Sequence, residues 1–218
     1  MANSRPTLGF MKALLIIANP GTSSFSHAMA GVASHILQDR GYELRVHDLY
    51  AEGFAPVQPV GESANTSSDD PLVEQHCSDL QDADFILVFH PNWWSQPPAI
   101  LKGWIDRVFR LGTAYVYPEG TGFDGVPRGL LRAKCALVFN TSNTHPERER
   151  DVFGDPLEDL WRTSVFALCG VANVQRRMYA PMSSSTPEQR ALWLSEVASL
   201  VANAALQVAM DSPETARD

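Results

Sequence analysis

Short apolar runs alternate along the chain with stretches in which apolar residues recur every three or four positions. Five runs have strand character: KALLIIA (12–18), YELRVHDL (42–49), DFILVFH (84–90), AKCALVFN (133–140) and VANVQRRMY (171–179). The first, third and fourth are almost continuously hydrophobic, as in central strands covered on both faces. The second and fifth carry charges or alternate, which suits strands nearer an edge.

Helical patterns lie between the runs. Asp155-Pro156-Leu157-Glu158 and Thr186-Pro187-Glu188-Gln189 each pair a capping residue with proline at the first helical position and Glu or Gln at the third. Asp70-Pro71 is a shorter form of the same signal. In the last helix Ala191, Leu194, Ala198, Val201, Ala205 and Val208 form a stripe that faces the sheet. Pro97 and Pro98 start a helix over 99–111, with Leu101, Ile105 and Val108 buried and Lys102 and Arg107 in solvent. Strand and helix alternate five times, which predicts an α/β fold with a parallel sheet, right-handed crossovers and helices on both faces. Segments 50–69 and 115–129 read as irregular and long enough to be functional loops. One domain over 12–209 is expected, with flexible ends at 1–11 and 210–218.

Composition narrows the partners. The 218 residues are 44% hydrophobic and carry a formal net charge of −8, which argues against nucleic acid or an anionic membrane surface. The three cysteines are far apart and suggest neither a metal site nor a disulfide framework. No run approaches the roughly 20 apolar residues of a membrane span, and the N-terminus lacks a signal-peptide core, so a soluble cytoplasmic protein is expected.

Ligands in such sheets bind beyond the carboxyl ends of the strands, where strand order reverses. Three loops compete for that place, and strand order 2-1-3-4-5 makes them neighbours, although five strand–helix units alone fit other orders. The first, NPGTSSFS, holds Thr22, Ser23, Ser24 and Ser26 without a lysine or arginine. Hydroxyls and free amides at a helix start form an anion site, and the same residues equally fit an ordinary serine-rich cap. The second loop contains Pro91, Asn92, Trp93 and Trp94, which offer apolar walls and backbone hydrogen bonds to a flat aromatic ligand. The tryptophans equally fit a subunit interface or a core plug. The third loop holds Thr141, Ser142, Asn143 and Thr144, then His145, where a proton-transfer role is open. Arg148, Arg150 and their acidic neighbours read as solvated surface.

PPAILKGWIDRVFRLGTAYVY and ANPGTSSFSHAM, within a likeness running from about Lys12 to Tyr179, make the chain resemble the flavodoxin-like NAD(P)H:quinone oxidoreductases. That family includes quinone reductases, modulators of drug activity and ancillary reductases of potassium-efflux systems. The resemblance implies a five-stranded sheet of order 2-1-3-4-5 and a bound flavin, FMN with FAD as the alternative. NAD(P)H would be co-substrate, a quinone-like molecule the acceptor, and the reaction ping-pong. It implies flavin contacts at Asn19, Ser23, Phe25, Ser26 and Ala28 near the phosphate, and at Pro91, Asn92, Trp93, Trp94 and Ser95 along the ring. Thr141, Ser142, Asn143 and Thr144 would meet its pyrimidine side. It also implies a homodimer, with 115–129 forming part of the pocket wall. Some relatives assist proton transfer with a tyrosine and a histidine; here Phe153 stands at the histidine position and no tyrosine occurs between Thr141 and Trp161, which leaves two alternatives, His145 as the candidate catalytic residue or backbone amides and water in its place. Azo or nitro reduction in the same pocket, and a regulatory flavin-binding subunit of a transporter, are the alternative roles.

Overall fold

The structure is a computed structural model and describes residues 11–62, 67–120 and 124–211. β1 (Lys12–Ile17) leads into α1 (Phe25–Asp39), β2 (Glu43–Asp48) into α2 (Pro71–Asp82), and β3 (Phe85–Pro91) into α3 (Ala99–Val108). An antiparallel ribbon of β4 (Tyr115–Val116) and β5 (Arg128–Gly129) precedes β6 (Cys135–Thr141). There follow α4 (Pro146–Asp151), α5 (Pro156–Asp159) continuing into π-helical Leu160–Ala167, β7 (Asn173–Tyr179) and α6 (Pro187–Met210).

The five long strands pair in parallel in the order β2-β1-β3-β6-β7, which is the expected 2-1-3-4-5. β3 and β6 are buried at every residue, whereas the charged strands β2 and β7 lie at the two edges. The pleat sends alternate residues to opposite faces. Ala13, Leu15, Phe85, Leu87, Leu137 and Phe139 pack with α1 and α6, while Leu14, Ile16, Ile86, Val88, Ala136 and Val138 pack with α2, α3 and Trp161, Val165 and Phe166. Burial of each large apolar side chain contributes about 1.5–3 kcal/mol, so the three central strands are the foundation on which the loops at their carboxyl ends stand.

The capping residues divide. Asp70 and Thr186 accept from the amides of Leu72 and Gln189 as expected. Asp155 does not cap: its φ is +46°, and its carboxylate pairs with Arg176 instead. In α6 the buried stripe is Val197, Val201, Ala204, Ala205 and Val208, with Ala191 exposed, so the expected face is rotated by about one position in its first half. By length and composition alone α6 is apolar enough to cross a membrane, in contrast to the sequence reading. Its buried stripe belongs to the core shared with α1 and the sheet.

Arg107, expected in solvent, is buried. Its guanidinium donates to both oxygens of Glu62 at 2.7 and 2.8 Å and to the Ala55 carbonyl at 2.7 Å. The pair pins the irregular segment after β2 across α3. Gly103 lies beneath that segment, and a Cβ there would stand 2.2 Å from the Pro56 carbonyl oxygen. Only glycine allows this approach. Segment 115–129, expected to be irregular, contains the β4–β5 ribbon; residues 121–123 lie outside the described part. The expected flexible ends also lie outside it, except Met11, Met210 and Asp211, and α6 continues through Met210.

Candidate functional site

A cavity of about 1170 Å³ opens beyond the carboxyl ends of β3 and β6. It is lined by Pro91 to Ser95, by Thr141 to Thr144, and by Glu149, Phe153, Met182 and Ser183. The second and third candidate loops thus face one space. Residues Asn19, Ser23, Phe25, Ser26 and Ala28 of the first loop do not line it; they stand at the neighbouring end of β1, and Phe25 packs edge-on against Tyr179 and Trp193.

The loop after β3 is a tight hairpin. Trp93 and Gln96 exchange backbone hydrogen bonds of 3.0 and 3.1 Å. Between them Trp94 and Ser95 both adopt positive φ, +57° and +56°, as a type I′ turn requires. Asn-Gly is the usual sequence for such a turn. Holding two side-chain-bearing residues there costs about 1–3 kcal/mol each and requires compensation from the surroundings. Trp93 and Trp94 are 44% and 98% exposed, so neither is a core plug.

Compensation comes from Glu149 on α4, which is 3% exposed. One carboxylate oxygen accepts from Asn92 Nδ2 at 2.8 Å and the other from Ser95 Oγ at 3.0 Å. The carboxylate therefore grips the hairpin on both sides of the tryptophans. The Asn92 amide also donates to Thr141 O at 2.6 Å, joining the loop to the end of β6. Among the described residues, the backbone N–H groups of Trp94, Ser95 and Asn143 have no protein partner.

The base of the hairpin is set from below. His90 is buried, Nδ1 lies 2.8 Å from Pro91 O, and Trp161 Nε1 donates to Nε2 at 3.1 Å. Because indole N–H can only donate, Nε2 is the acceptor and Nδ1 carries the proton. Burial pushes the pKa of His90 down to about 4, consistent with a neutral ring. The loop after β6 is fixed by Ser142 N to Tyr179 O (3.1 Å), Thr144 N to Ser142 Oγ (3.0 Å) and Ser183 N to Asn143 Oδ1 (2.9 Å).

In the first loop Ser24 is the N-cap of α1, as its hydroxyl accepts from the His27 amide. His27 Nδ1 lies 2.8 Å from Ser24 Oγ, and Nε2 lies 2.9 Å from an Asp48 carboxylate oxygen. Asp48 thereby orients His27 and His27 orients Ser24. Asn19 Nδ2 donates to Ser26 Oγ at 3.3 Å, while its Oδ1 accepts from the Gly21 amide at 3.0 Å. The loop presents hydroxyls and first-turn amides without a lysine or arginine.

His145 is exposed, forms the backbone N-cap of α4 and does not line the cavity. Phe153 does line it. Glu149, Met182 and Ser183 were missed by sequence reasoning. Glu149 is hidden in a run of alternating charges, and the other two lie in the Pro- and Ser-rich stretch PMSSSTP after β7, a loop signal at a fourth strand end. Away from the cavity, His47, Glu52, His76 and Asp79 form a separate network. His47 Nδ1 meets Glu52 at 2.8 Å and Nε2 meets Asp79 at 3.0 Å. The ring is stacked on His76, whose Nδ1 accepts from Trp104 Nε1 at 2.9 Å. That bond puts the His76 proton on Nε2, which leaves no lone pair there for a metal ion.

Residues 11–199 match a family described as having a flavodoxin-like fold. A human protein named ribosyldihydronicotinamide dehydrogenase [quinone] (Homo sapiens) is 31% identical over 200 residues, covering 81% of this chain and 82% of its own. The solved structure of an NAD(P)H:quinone oxidoreductase from Methanothermobacter marburgensis is similar with a TM-score of 0.75 at 24% identity, covering 89% of this chain and 97% of that one. An FMN-dependent NADH-azoreductase from Bacillus anthracis, solved in complex with FMN, shares the fold with a TM-score of 0.67 at 16% identity, covering 91% and 99%.

Proposed function

This chain belongs to the flavodoxin-like family of NAD(P)H:quinone oxidoreductases, and on that premise we propose that it transfers two electrons from NAD(P)H to a quinone-like acceptor through a flavin bound in the cavity beyond β3 and β6. The observation that carries this reading is the lining itself. Trp93, Phe153 and Met182 offer apolar walls, while the unpartnered amides of Trp94, Ser95 and Asn143 offer fixed neutral donors. A flat heteroaromatic ring with carbonyl and nitrogen acceptors fits that donor set.

When bound, a flavin would supply the two-electron redox chemistry between NAD(P)H and the acceptor. The chain's own groups bind and orient. The hairpin amides and the Asn143 amide, held in place by the fold, would serve as donors to ring carbonyls, where loss of one such donor typically costs about 3 kcal/mol. Hydroxyls and first-turn amides between Thr22 and Ser26 take the phosphate end. The aromatic walls exclude water from the ring face. Phe153 offers no proton, and His145 lies outside the lining, so the proton that completes acceptor reduction comes from solvent at the cavity mouth.

FMN is favoured over FAD, supported by the fold shared with an FMN-bound azoreductase. A homodimer, with 115–129 closing part of the mouth, completes the proposal. Purified protein is expected to be yellow, to bleach anaerobically with NADH or NADPH, and to recover colour on adding a quinone. Heat release of the chromophore followed by chromatography identifies the flavin. A colourless protein that leaves FMN and FAD spectra unchanged overturns the reading.

A further inference from the structure

Among the described residues, Glu149 is the only ionisable side chain in the cavity lining, and neither lysine nor arginine joins it there. Its two hydrogen-bond donors, Asn92 and Ser95, are neutral. Asn92 Nδ2 donates to one carboxylate oxygen, and Ser95 Oγ lies within hydrogen-bond distance of the other. Among the described residues no lysine, arginine or histidine reaches it within ion-pair distance. Arg148, on the same helix, stands with its guanidinium 5.8 Å from the centre of the Phe153 ring and outside the lining. Asp155, whose amide donates to Glu149 O, commits its own carboxylate to Arg176.

A carboxylate that is 3% exposed and has no cationic partner is poorly screened, and its field extends into the space it lines. From this juxtaposition we propose that Glu149 selects the acceptor by charge: neutral and cationic quinone-like molecules are accepted, and anionic ones are disfavoured. The proposal rests on the reductase reading and deepens it by assigning the substrate's charge class. The same carboxylate holds the hairpin, so charge selection and hairpin geometry share one side chain. Glu149→Gln separates them. Its amide oxygen still accepts from Asn92 and its amide nitrogen donates to Ser95 Oγ, leaving the grip in place and removing the charge.

The test uses FMN-loaded protein, NADH and three acceptors of one shape: naphthoquinone, its sulfonate and a trimethylammonium-substituted analogue. Wild type is expected to show kcat/KM at least about tenfold higher for the cation than for the sulfonate, a ratio worth one factor of ten in transition-state binding. Glu149→Gln is expected to bring that ratio within about twofold of unity. Ser95→Ala, which removes one bond and keeps the charge, retains the preference. A second readout needs no turnover: the redox-inert naphthalene sulfonate and trimethylammonium naphthalene are titrated against the tryptophan fluorescence of the same three proteins, and their affinities follow the same order.

A wild-type ratio near unity, or a ratio unchanged by Glu149→Gln, overturns the proposal. If Glu149→Gln fails to fold, a Ser95→Ala protein whose ratio collapses overturns it as well, because the charge is still there. Should wild type bind no flavin and reduce none of the three, the reductase reading falls and takes this assignment with it.

Discussion

Trp161 Nε1 donates to His90 Nε2 across 3.1 Å, and that bond decides which His90 nitrogen is free to hold the Pro91 carbonyl. A tryptophan in the segment before β7 thus sets the tautomer of a histidine in β3, and the histidine sets the first residue of the cavity wall. Trp161→Phe keeps the aromatic volume and leaves the His90 nitrogen without its donor. Its expected cost is about 1–3 kcal/mol, read as a lower urea midpoint at unchanged slope.

The same histidine gives a signed pH dependence. Its folded pKa, about 4, lies below the ordinary 6.5 because burial disfavours the cation. The unfolded chain therefore binds the extra proton first, and this contribution to stability is present above 6.5 and is lost as pH falls toward 4. Denaturation of wild type and His90→Gln at a series of pH values checks it. The gap between them should narrow on acidification through that window.

His47 gives the opposite sign. Burial works against its charge, but hydrogen bonds and charges from Glu52 and Asp79 outweigh burial and raise its pKa. Its contribution is fully present below the ordinary 6.5 and is lost as pH rises through the raised folded value. The Glu52 carboxyl, held at about 2 despite burial by His47 and His76, is ionised throughout. Glu52→Gln is expected to cost more stability at about pH 6 than at about pH 9, a difference measured by denaturant titration at each pH.

Trp94 exchanges stability for exposure. Glycine occupies positive φ without the strain a side chain brings, so Trp94→Gly is expected to gain about 0.5–1 kcal/mol in the ligand-free protein. The loss of the 98% exposed indole should raise the KM for the acceptor several-fold. Calorimetry of the ligand-free protein and steady-state kinetics of the loaded one read the two effects separately.

Asp48 reaches the first loop only through His27. Asp48→Asn leaves Ser24 in place but removes the charge that orients the imidazole against it. A weakening of FMN binding by about three- to tenfold is expected, with the urea midpoint little changed; titration of flavin fluorescence measures it.

Much of the fold was legible because it is carried by local signals. β1, β3 and β6 are apolar on both faces, the charged β2 and β7 fall at the edges, and Asp70 and Thr186 cap the helices that follow them. The residues that misled are those whose partners are distant in sequence. Arg107 reads as solvent-facing from α3 alone; its partner Glu62 lies 45 residues away. Glu149 looked like one more surface charge, and its partners Asn92 and Ser95 lie 57 and 54 residues earlier. Asp155 carried a strong capping signal that Arg176, on a later strand, overrode. The two loops of the cavity were visible as loops, whereas the carboxylate that ties them belongs to a helix only six residues long.

The segment crossing α3 has a consequence in time. Between Tyr50 and Glu62 it makes no strand or helix of its own that could stand alone; its anchors are Phe54, buried against α2 and α3, Arg107 and the Gly103 surface on α3, and His47 and His76 on β2 and α2. All of those must be docked before it has anything to settle on. It is therefore expected to be the last stretch to order as the chain folds and the first to open to a protease, well before the sheet beneath it yields.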